Sequence, residues 1–319
     1  MTATDAAAQC ERLRADINRV LLGQEAVVDQ VIIALLAGGH VLLEGVPGLG
    51  KTLLVRALAG CFSGSYRRIQ FTPDLMPADI TGHAIYNMAE GSFHVRRGPV
   101  FTHLLLADEV NRAPAKTQAA LLEVMQEEQV TIEGEALLIE PPFMVLATQN
   151  PIEQEGTYPL PEAQLDRFLM KVLIDYPAAD AEILLATQVT AGDTERNSPA
   201  SGSPGGLAPA DVVALRAVAA EVLVDEQLVD YAVRIVRATR EHPGIRVGAS
   251  PRASIGLLQT ARARALLRGE SFVLPDDIKA LALPVLRHRV MLTADTEIDG
   301  LDADQVLTRL LEDVEAPRT

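Results

Sequence analysis

The sequence predicts an α/β domain built on a parallel sheet with β-hairpin insertions, followed by a small all-α domain. Between residues 23 and 190, apolar segments of strand length alternate with segments of helical periodicity, which is typical of a parallel sheet with helices on both faces. Residues 191–209 are rich in Gly, Pro and Ser, so we expect a linker or surface loop there. From 210 to 319 the periodicity is helical throughout. A further helix is predicted within residues 1–22, ahead of the core.

The predicted elements of the core are short. Its five strands are His40–Glu44, Arg67–Phe71, Phe101–Ala107, Phe143–Thr148 and Leu169–Ile174. Helices with an apolar face are predicted at 6–22, Glu25–Leu36, Lys51–Ala59, Pro114–Glu127 and Ala178–Val189. Two β-hairpins are predicted as insertions, at 84–96 and 129–140. The C-terminal domain is predicted to contain helices at 210–221, 226–240, 252–268, 276–290 and 302–314.

Composition excludes several classes of protein. The 319 residues include 28 Lys and Arg against 43 Asp and Glu, a formal net charge of −15. Because nucleic-acid binding relies on cationic contacts to phosphate, this balance argues against broad contact with DNA or RNA. The longest uncharged apolar stretch, Val31–Leu43, is shorter than the ~20 residues that cross a bilayer. Cys10 and Cys61 lie far apart and have no metal-site spacing, which is typical of a protein in a reduced compartment. We therefore expect a cytoplasmic protein. We expect neither a membrane span nor a secretory signal.

The segment after the first core strand matches the phosphate-binding pattern G-x-x-x-x-G-K-[ST]. Its glycines let backbone N–H groups turn toward phosphate oxygens; Lys51 is expected to reach the β- and γ-phosphates of ATP, and Thr52 to ligate Mg²⁺. A glycine-rich turn with an exposed lysine is the alternative, but the flanking strand and helix favour a nucleotide site. The predicted loop residues are Gly45, Val46, Pro47, Gly48, Leu49, Gly50, Lys51, Thr52 and Leu53.

Two carboxylates, Asp108 and Glu109, follow the strand Phe101–Ala107. A strand buried on both faces becomes charged where it emerges, so we expect both at the carboxyl edge of the sheet, beside the phosphate loop. Asp108 is expected to help hold Mg²⁺, and Glu109 to polarise the attacking water. A plain acidic strand end is the alternative interpretation.

Asn150 and Arg167 are further candidates for this chemistry. Asn150 ends a core strand and precedes a proline, where it either orients the attacking water or forms an ordinary turn. Arg167 follows a short predicted helix. It is either a cation favoured by the helix dipole or an arginine finger that serves a neighbouring subunit's nucleotide. Arg112 is the rival candidate for the finger.

Arg252 lies in the first turn of a helix predicted to start at Ser250 and Pro251. A cation in this position opposes the helix dipole, so Arg252 is expected to have a compensating anion. That anion is either a nucleotide phosphate or a carboxylate such as Glu241.

The order of these motifs resembles the MoxR branch of the AAA+ ATPases over roughly residues 10–315. The resemblance is carried by four strings that start at Glu109, Ala147, Pro161 and Gly248: EVNRAPAKTQ, ATQNP, PEAQLDRF and GASPRA. It implies a P-loop AAA+ core with an α-helical lid, the hairpin at 84–96 being the helix-2 insert and that at 129–140 the pre-sensor-1 hairpin. The long 191–209 segment departs from the family pattern and leaves the start of the lid open.

The resemblance also implies a role for each site residue, with ATP and Mg²⁺ as cofactors. These roles are Lys51 and Thr52 as Walker A, Asp108 and Glu109 as Walker B, Asn150 as sensor 1, Arg167 as arginine finger, Arg252 as sensor 2 and Gln24 beside the adenine. Thr52 and Asp108 are the implied metal ligands, and Arg252 is implied to contact the nucleotide.

The function we favour is Mg-dependent ATP hydrolysis by a ring that remodels a protein partner. The resemblance implies a hexamer and a partner with a von Willebrand A-type domain. A nucleic-acid motor is the second hypothesis. The basic pairs Arg67-Arg68 and Arg96-Arg97 favour it, but the acidic tip Glu133-Gly134-Glu135 of the second hairpin would repel a phosphate backbone. A scaffold that binds ATP without turnover is the third, and the complete set of predicted catalytic residues argues against it.

Overall fold

The computed structural model describes residues 1–151, 156–190 and 206–317. Its helices are α1 (Ala3–Val20), α2 (Glu25–Leu36), α3 (Lys51–Gly60), α4 (Pro77–Thr81), α5 (Ala115–Glu127), α6 (Glu162–Leu165), α7 (Ala179–Thr190), α8 (Pro209–Glu221), α9 (Glu226–Glu241), α10 (Pro251–Leu267), α11 (Pro275–Leu286), α12 (Ala294–Ile298) and α13 (Ala303–Asp313). Its strands are β1 (Val41–Glu44), β2 (Tyr66–Gln70), β3 (Gly82–Asn87), β4 (Ser92–Arg97), β5 (Leu104–Asp108), β6 (Gln129–Ile132), β7 (Glu135–Leu138), β8 (Met144–Gln149), β9 (Met170–Leu173), β10 (Ile245–Val247) and β11 (Met291–Leu292).

Five parallel strands form the central sheet, in the order β2-β5-β8-β1-β9. β1 lies between β8 and β9, so that Val41 pairs with Leu146 on one side and Met170 on the other. Since all five strands run the same way, the segments that follow them meet at one edge, the carboxyl edge. The predicted parallel α/β core is confirmed.

Helices cover both faces of the sheet because successive side chains of each strand point to opposite faces. Leu43 packs into a core shared with α1, α2, α3 and the C-terminal helices. Leu42 packs into a second core with α4, α5 and the hairpin β6–β7. Because the C-terminal helices complete the first core, they are packed directly onto the α/β domain.

The C-terminal domain is helical, as predicted, except for one small sheet. β10 and β11 pair antiparallel, with Ile245 opposite Leu292. The predicted helix at 276–290 therefore ends earlier, with α11 at Leu286. Strands this short carry no period that distinguishes them from helix in the sequence.

Residues 191–205 of the predicted linker lie outside the described residues. The end of that segment is held against the core, since Leu207 N–H donates to the Cys61 carbonyl (2.9 Å) and Ser63 N–H to the Leu207 carbonyl (2.9 Å). Helix α8 starts at Pro209, one residue before the predicted start of the C-terminal domain. Among the described residues, no helix combines the length and apolar character needed to cross a membrane.

A buried histidine fixes the opposite, amino edge of the sheet. His40 precedes β1; its Nδ1 accepts from Val145 N–H (3.0 Å) and its Nε2 donates to the Met125 carbonyl (3.0 Å). Burial lowers the pKa of His40 to about 4, so the ring is neutral near pH 7. The ring thereby ties β1 to β8 and to the end of α5.

Candidate functional site

The carboxyl edge of the sheet collects most of the predicted site residues. β1 leads into the loop 45–52, β5 ends at Asp108 and Glu109, and β8 leads to Asn150. Because β8 lies between β1 and β5, Asn150 stands between the loop and the two carboxylates. Asn150 is buried, at 6% exposed. The structure thus brings together at one edge three features that lie far apart in the sequence.

The loop 45–52 has the backbone of an anion cradle. Gly48 and Gly50 have φ values of 88° and 83°, in the left-handed region that favours glycine. A Cβ on Gly45 would lie 2.5 Å from the Ile174 carbonyl oxygen, whereas nothing lies within 4 Å of a Cβ on Gly48. Lys51 Nζ donates to the Gly45 carbonyl and to the Gln149 carbonyl (3.3 Å). The lysine therefore lies over the loop, and the outer side of the loop is open. This leaves the space that a bound phosphate group requires.

Asp108 is held by two neighbours. Its Oδ1 accepts from Thr148 Oγ1 (2.6 Å), and its Oδ2 accepts from both Nη2 (2.6 Å) and Nε (3.2 Å) of Arg68. Asp108 is 7% exposed, so this ion pair is largely shielded on the carboxylate side. Arg68 comes from β2, whose basic residues had suggested a nucleic-acid contact. The structure instead directs Arg68 onto a carboxylate of the site.

Glu109 is held in an unusual backbone conformation. Its φ is 57°, in the left-handed region, and its N–H donates to Thr148 Oγ1 (2.9 Å). Its Oε2 accepts from Gln70 Nε2 (2.8 Å) and from Arg112 Nη1 (2.9 Å). One oxygen of this carboxylate is therefore occupied by two donors of the same chain.

Sequence reasoning missed the partners Arg68, Gln70 and Thr148, and it gave Arg112 a different role. The signal that would have found Gln70 is the pairing of β2 with β5, which places it opposite Asp108. That register is a tertiary property and has no local pattern in the sequence.

The donor set fits a magnesium ion. Thr52 lies in the first turn of α3, at the end of the loop, and Asp108 ends β5. A hydroxyl and a carboxylate are hard oxygen ligands of the kind that Mg²⁺ takes alongside phosphate oxygens and water. These are the two residues that would hold the ion.

Gln24 lies at the same edge, on the β9 side of the loop. It precedes α2, and its Nε2 donates to the carbonyl of Asp175, which lies just after β9 (2.7 Å). Gln24 therefore lies next to the loop 45–52. It is far from Asp108, because β8 and β1 lie between β9 and β5, the strand that ends at Asp108.

Arg167 and Arg252 lie at the other edge of the sheet. Both line a cavity of about 410 Å³ together with Gly38 and His40, which precede β1. Leu169 N–H donates to the His40 carbonyl (2.9 Å), which fixes the segment of Arg167 at the amino ends of β1 and β9. The four residues of β1 separate His40 from Gly45, so these two residues are roughly 16 Å apart. Arg252 therefore lies at the amino edge, away from the loop 45–52 of its own chain.

The residues around Arg252 differ from the sequence expectation. Ser250 occupies the N-cap position of α10, but its side chain makes no capping hydrogen bond; its Oγ donates instead to Asp166 Oδ2 (3.0 Å), which links the lid to the core. Asp166 also binds the buried Arg289, whose Nε donates to Oδ1 (2.8 Å). Burial lowers the pKa of Arg289, and the charge of the nearby Arg252 lowers it further. Glu241 pairs with Arg237 (3.9 Å), so it is not the anion that Arg252 was expected to have.

Comparison with protein-family models identifies both domains. Residues 40–170 match the ATPase family associated with various cellular activities (AAA), and residues 237–310 match the AAA lid domain. The first match contains the loop 45–52, both carboxylates and Asn150. The second contains Arg252.

Relatives cover nearly the whole chain. The uncharacterized protein YeaC of Bacillus subtilis is 45% identical over 94% of this chain and 92% of its own length. Chaperone MoxR1 of Mycobacterium tuberculosis is 45% identical over 97% of this chain and 82% of its own, and protein MoxR of Methylorubrum extorquens is 34% identical over 90% and 88%. The crystal structure of a candidate ATPase from Cytophaga hutchinsonii superimposes with a TM-score of 0.89 at 40% identity, covering 99% of this chain and 97% of the other. With its parallel-sheet core, its helical lid and these relatives, the chain belongs to the MoxR family of AAA+ ATPases.

Proposed function

We propose that this chain binds ATP with Mg²⁺ at the carboxyl edge of the sheet and hydrolyses it, with Glu109 as the general base. The observation that carries the proposal is the convergence of an open glycine loop, Lys51, Asp108, Glu109 and Asn150 at one edge. A scaffold that only bound nucleotide would need the loop and Lys51 but not the other three.

Each residue has a distinct task in this proposal. Lys51 exchanges its two carbonyl partners for phosphate oxygens. Thr52 and Asp108 would hold Mg²⁺, which when bound would neutralise charge on the phosphates. Glu109 takes a proton from the attacking water, and Asn150 orients that water.

The contacts of Glu109 orient the general base. Oε2 accepts hydrogen bonds from Gln70 and Arg112, so these two donors fix the orientation of the carboxylate toward the attacking water. A change in β2 that moves Gln70 therefore changes the activity of the base.

Arg167 and Arg252 are proposed to act on a neighbouring subunit. Neither makes an ion pair with a carboxylate among the described residues, and both line one cavity at the amino edge, roughly 16 Å from the loop of their own chain. A ring in which this edge faces the next subunit's carboxyl edge gives both arginines a phosphate partner. We propose a hexamer, in which every site is completed by two chains.

The proposed use of hydrolysis is the remodelling of a protein partner in the cytoplasm. One relative is named a chaperone, which supports a protein client, and we retain a partner with a von Willebrand A-type domain as the first candidate. The acidic tip of the hairpin β6–β7, with Glu133 and Glu135 both exposed, argues against a nucleic-acid track.

Two substitutions test the proposed chemistry. Glu109→Gln keeps the shape of the side chain but removes the base, so ATP binding should persist while hydrolysis falls about a hundred-fold or more. Lys51→Ala removes a phosphate contact and should weaken binding itself. Binding of a fluorescent ATP analogue and phosphate release, measured on both variants and on the unmodified chain, separate the two effects. Wild-type phosphate release by Glu109→Gln would contradict the assignment of the base.

A further inference from the structure

The hairpin β3–β4 carries an apolar face that the described residues leave uncovered. Tyr86 lies opposite Phe93 in the register, with ring centroids 5.1 Å apart, and the two are 51% and 69% exposed. Val95, on the same face, is 39% exposed, and Met88 in the turn is 89% exposed. We call these four residues the apolar hairpin face. Contiguous exposed apolar side chains of this kind mark a site of interaction with another molecule.

Part of a strongly acidic segment lies beside that face. Strand β3 packs against β6 of the second hairpin. Residues 117–149, which include this hairpin, contain no Lys, Arg or His. Their six glutamates are all exposed: Glu123, Glu127, Glu128, Glu133, Glu135 and Glu140. We call residues 117–149 the acidic segment, and its field favours a cationic partner.

We propose that the apolar hairpin face binds a polypeptide segment whose apolar side chains are flanked by Lys or Arg. This inference rests on the proposed remodelling of a protein and specifies the chemistry of the segment that is engaged. The aromatic pair supplies apolar contact area at a small entropic cost, since each ring has only two side-chain torsions. The glutamates supply the charge complementarity that selects a cationic segment over an anionic one.

The base of the hairpin joins this surface to the nucleotide site. A Cβ on Gly82 would lie 2.2 Å from the Arg96 carbonyl oxygen, and one on Gly98 would lie 2.2 Å from the Ile80 carbonyl oxygen. Gly98 N–H donates to the Thr81 carbonyl (3.2 Å), so the hairpin is held closely against α4. The chain that enters α4 comes from β2, which ends at Gln70, a partner of Glu109. A segment bound on the hairpin is thereby connected to the general base through one short stretch of chain.

Nucleic acid is the less favoured occupant. Arg96 is exposed and the aromatic rings offer stacking surface, but Arg97 already lies over the Phe101 ring (5.0 Å). The acidic segment opposes a phosphate backbone at the same place. A second copy of this chain, in a head-to-tail contact of the proposed ring, is the other alternative occupant, and sedimentation in the test below distinguishes it.

The test measures peptide binding separately from hydrolysis. A fluorescent peptide of alternating Leu and Lys is titrated against the full chain carrying Glu109→Gln, with ATP, and binding is followed by anisotropy. Two matched peptides replace Lys by Glu or Leu by Ser, and a single-stranded DNA of similar length serves as the nucleic-acid probe. The variants are Tyr86→Ser with Phe93→Ser, Glu133→Gln with Glu135→Gln, and Ile298→Ser as a control for an exposed apolar residue on the lid (83% exposed).

The Leu/Lys peptide should bind about ten-fold more tightly than either matched peptide, and the double serine variant should lose about ten-fold of that affinity. The double glutamine variant should bind the peptide more weakly at low salt and show a smaller salt dependence. Ile298→Ser should behave as the parent. Equal binding of all peptides, unchanged binding by the double serine variant, or tighter binding of the DNA overturns the proposal. A smaller assembly of the double serine variant in sedimentation also overturns the proposal, since a second copy would then cover the face.

Hydrolysis is measured separately, in the chain that retains Glu109. There the double serine variant should keep basal hydrolysis but lose its stimulation by the peptide. Absence of hydrolysis in every chain would count against the proposed function alone.

Discussion

Asp108 and Glu109 are adjacent in the sequence but are held by different partners. Arg68 forms an ion pair with Asp108, whereas Gln70 and Arg112 bind Glu109. The two carboxylates themselves were predicted from the sequence, because a charged pair after a buried strand is a local pattern. Their partners were not, because the pairing of β2 with β5 decides which side chains arrive beside them.

Arg68 and a metal ion compete for the same carboxylate in this account. Arg68→Ala should lower the Mg²⁺ concentration that supports half-maximal ATP hydrolysis by about three- to ten-fold, since the partly exposed ion pair with Asp108 no longer has to be broken. The measurement is the rate of phosphate release as free Mg²⁺ is varied at saturating ATP. Arg67→Ala, which changes an exposed neighbour on the same strand, is the matched control and should not alter the Mg²⁺ requirement. An unchanged or higher requirement in Arg68→Ala would show that Arg68 does not compete with the ion.

Among the elements, the hairpins and the small lid sheet show what periodicity can reveal. Both hairpins were predicted because alternating residues flank a glycine turn, and both are present as β3–β4 and β6–β7. The sheet β10–β11 was missed because strands of three and two residues are too short to show a period. The exposure of the apolar hairpin face was not predictable either, since apolar residues in a strand normally indicate burial.

The base of the first hairpin should tolerate no side chain. Gly82→Ala should lower the free energy of unfolding by about 3 kcal/mol, because the new Cβ would meet backbone atoms at 2.2 Å and φ is 93°. Gly134→Ala is the matched control: Gly134 has a φ of 82°, but nothing lies within 4 Å of its Cβ position. Its loss should be about 1 kcal/mol, from the left-handed backbone alone. Urea denaturation measures both losses, and equal losses would mean that the hairpin base can move to accept a Cβ.

The docking of the lid determines the organisation of the whole molecule. The helices of the lid were predicted from their apolar periodicity, but several apolar faces are available and the sequence does not say which partner each one meets. In the structure α10 packs against α1 and α2, so Arg252 lies with Arg167 at the amino edge. That both arginines serve ATP stays a prediction, and their shared position at the amino edge favours the ATP of a neighbouring subunit.

The proposed sharing of the active site would make the whole assembly the catalytic unit. Chains with Arg167→Ala keep an intact loop, and chains with Lys51→Ala keep both arginines, so each defect is complemented only across an interface. When equal amounts of the two variants assemble at random, about a quarter of the interfaces join a chain with an intact Lys51 to a neighbour with an intact Arg167. We therefore expect hydrolysis to recover to about a quarter of the wild-type rate. The same recovery is expected when Arg252→Ala replaces Arg167→Ala.

The mixing experiment is therefore the most direct measurement of the central claim, that one chain binds ATP and its neighbour completes the site. Phosphate release is measured for each variant alone and for the mixture, and co-assembly is verified by pull-down through a tag on one variant. Each variant alone should be inactive, and the mixture should hydrolyse ATP. A mixture as inactive as its components, with co-assembly verified, would contradict the assignment of Arg167 and Arg252 to the neighbouring subunit's site.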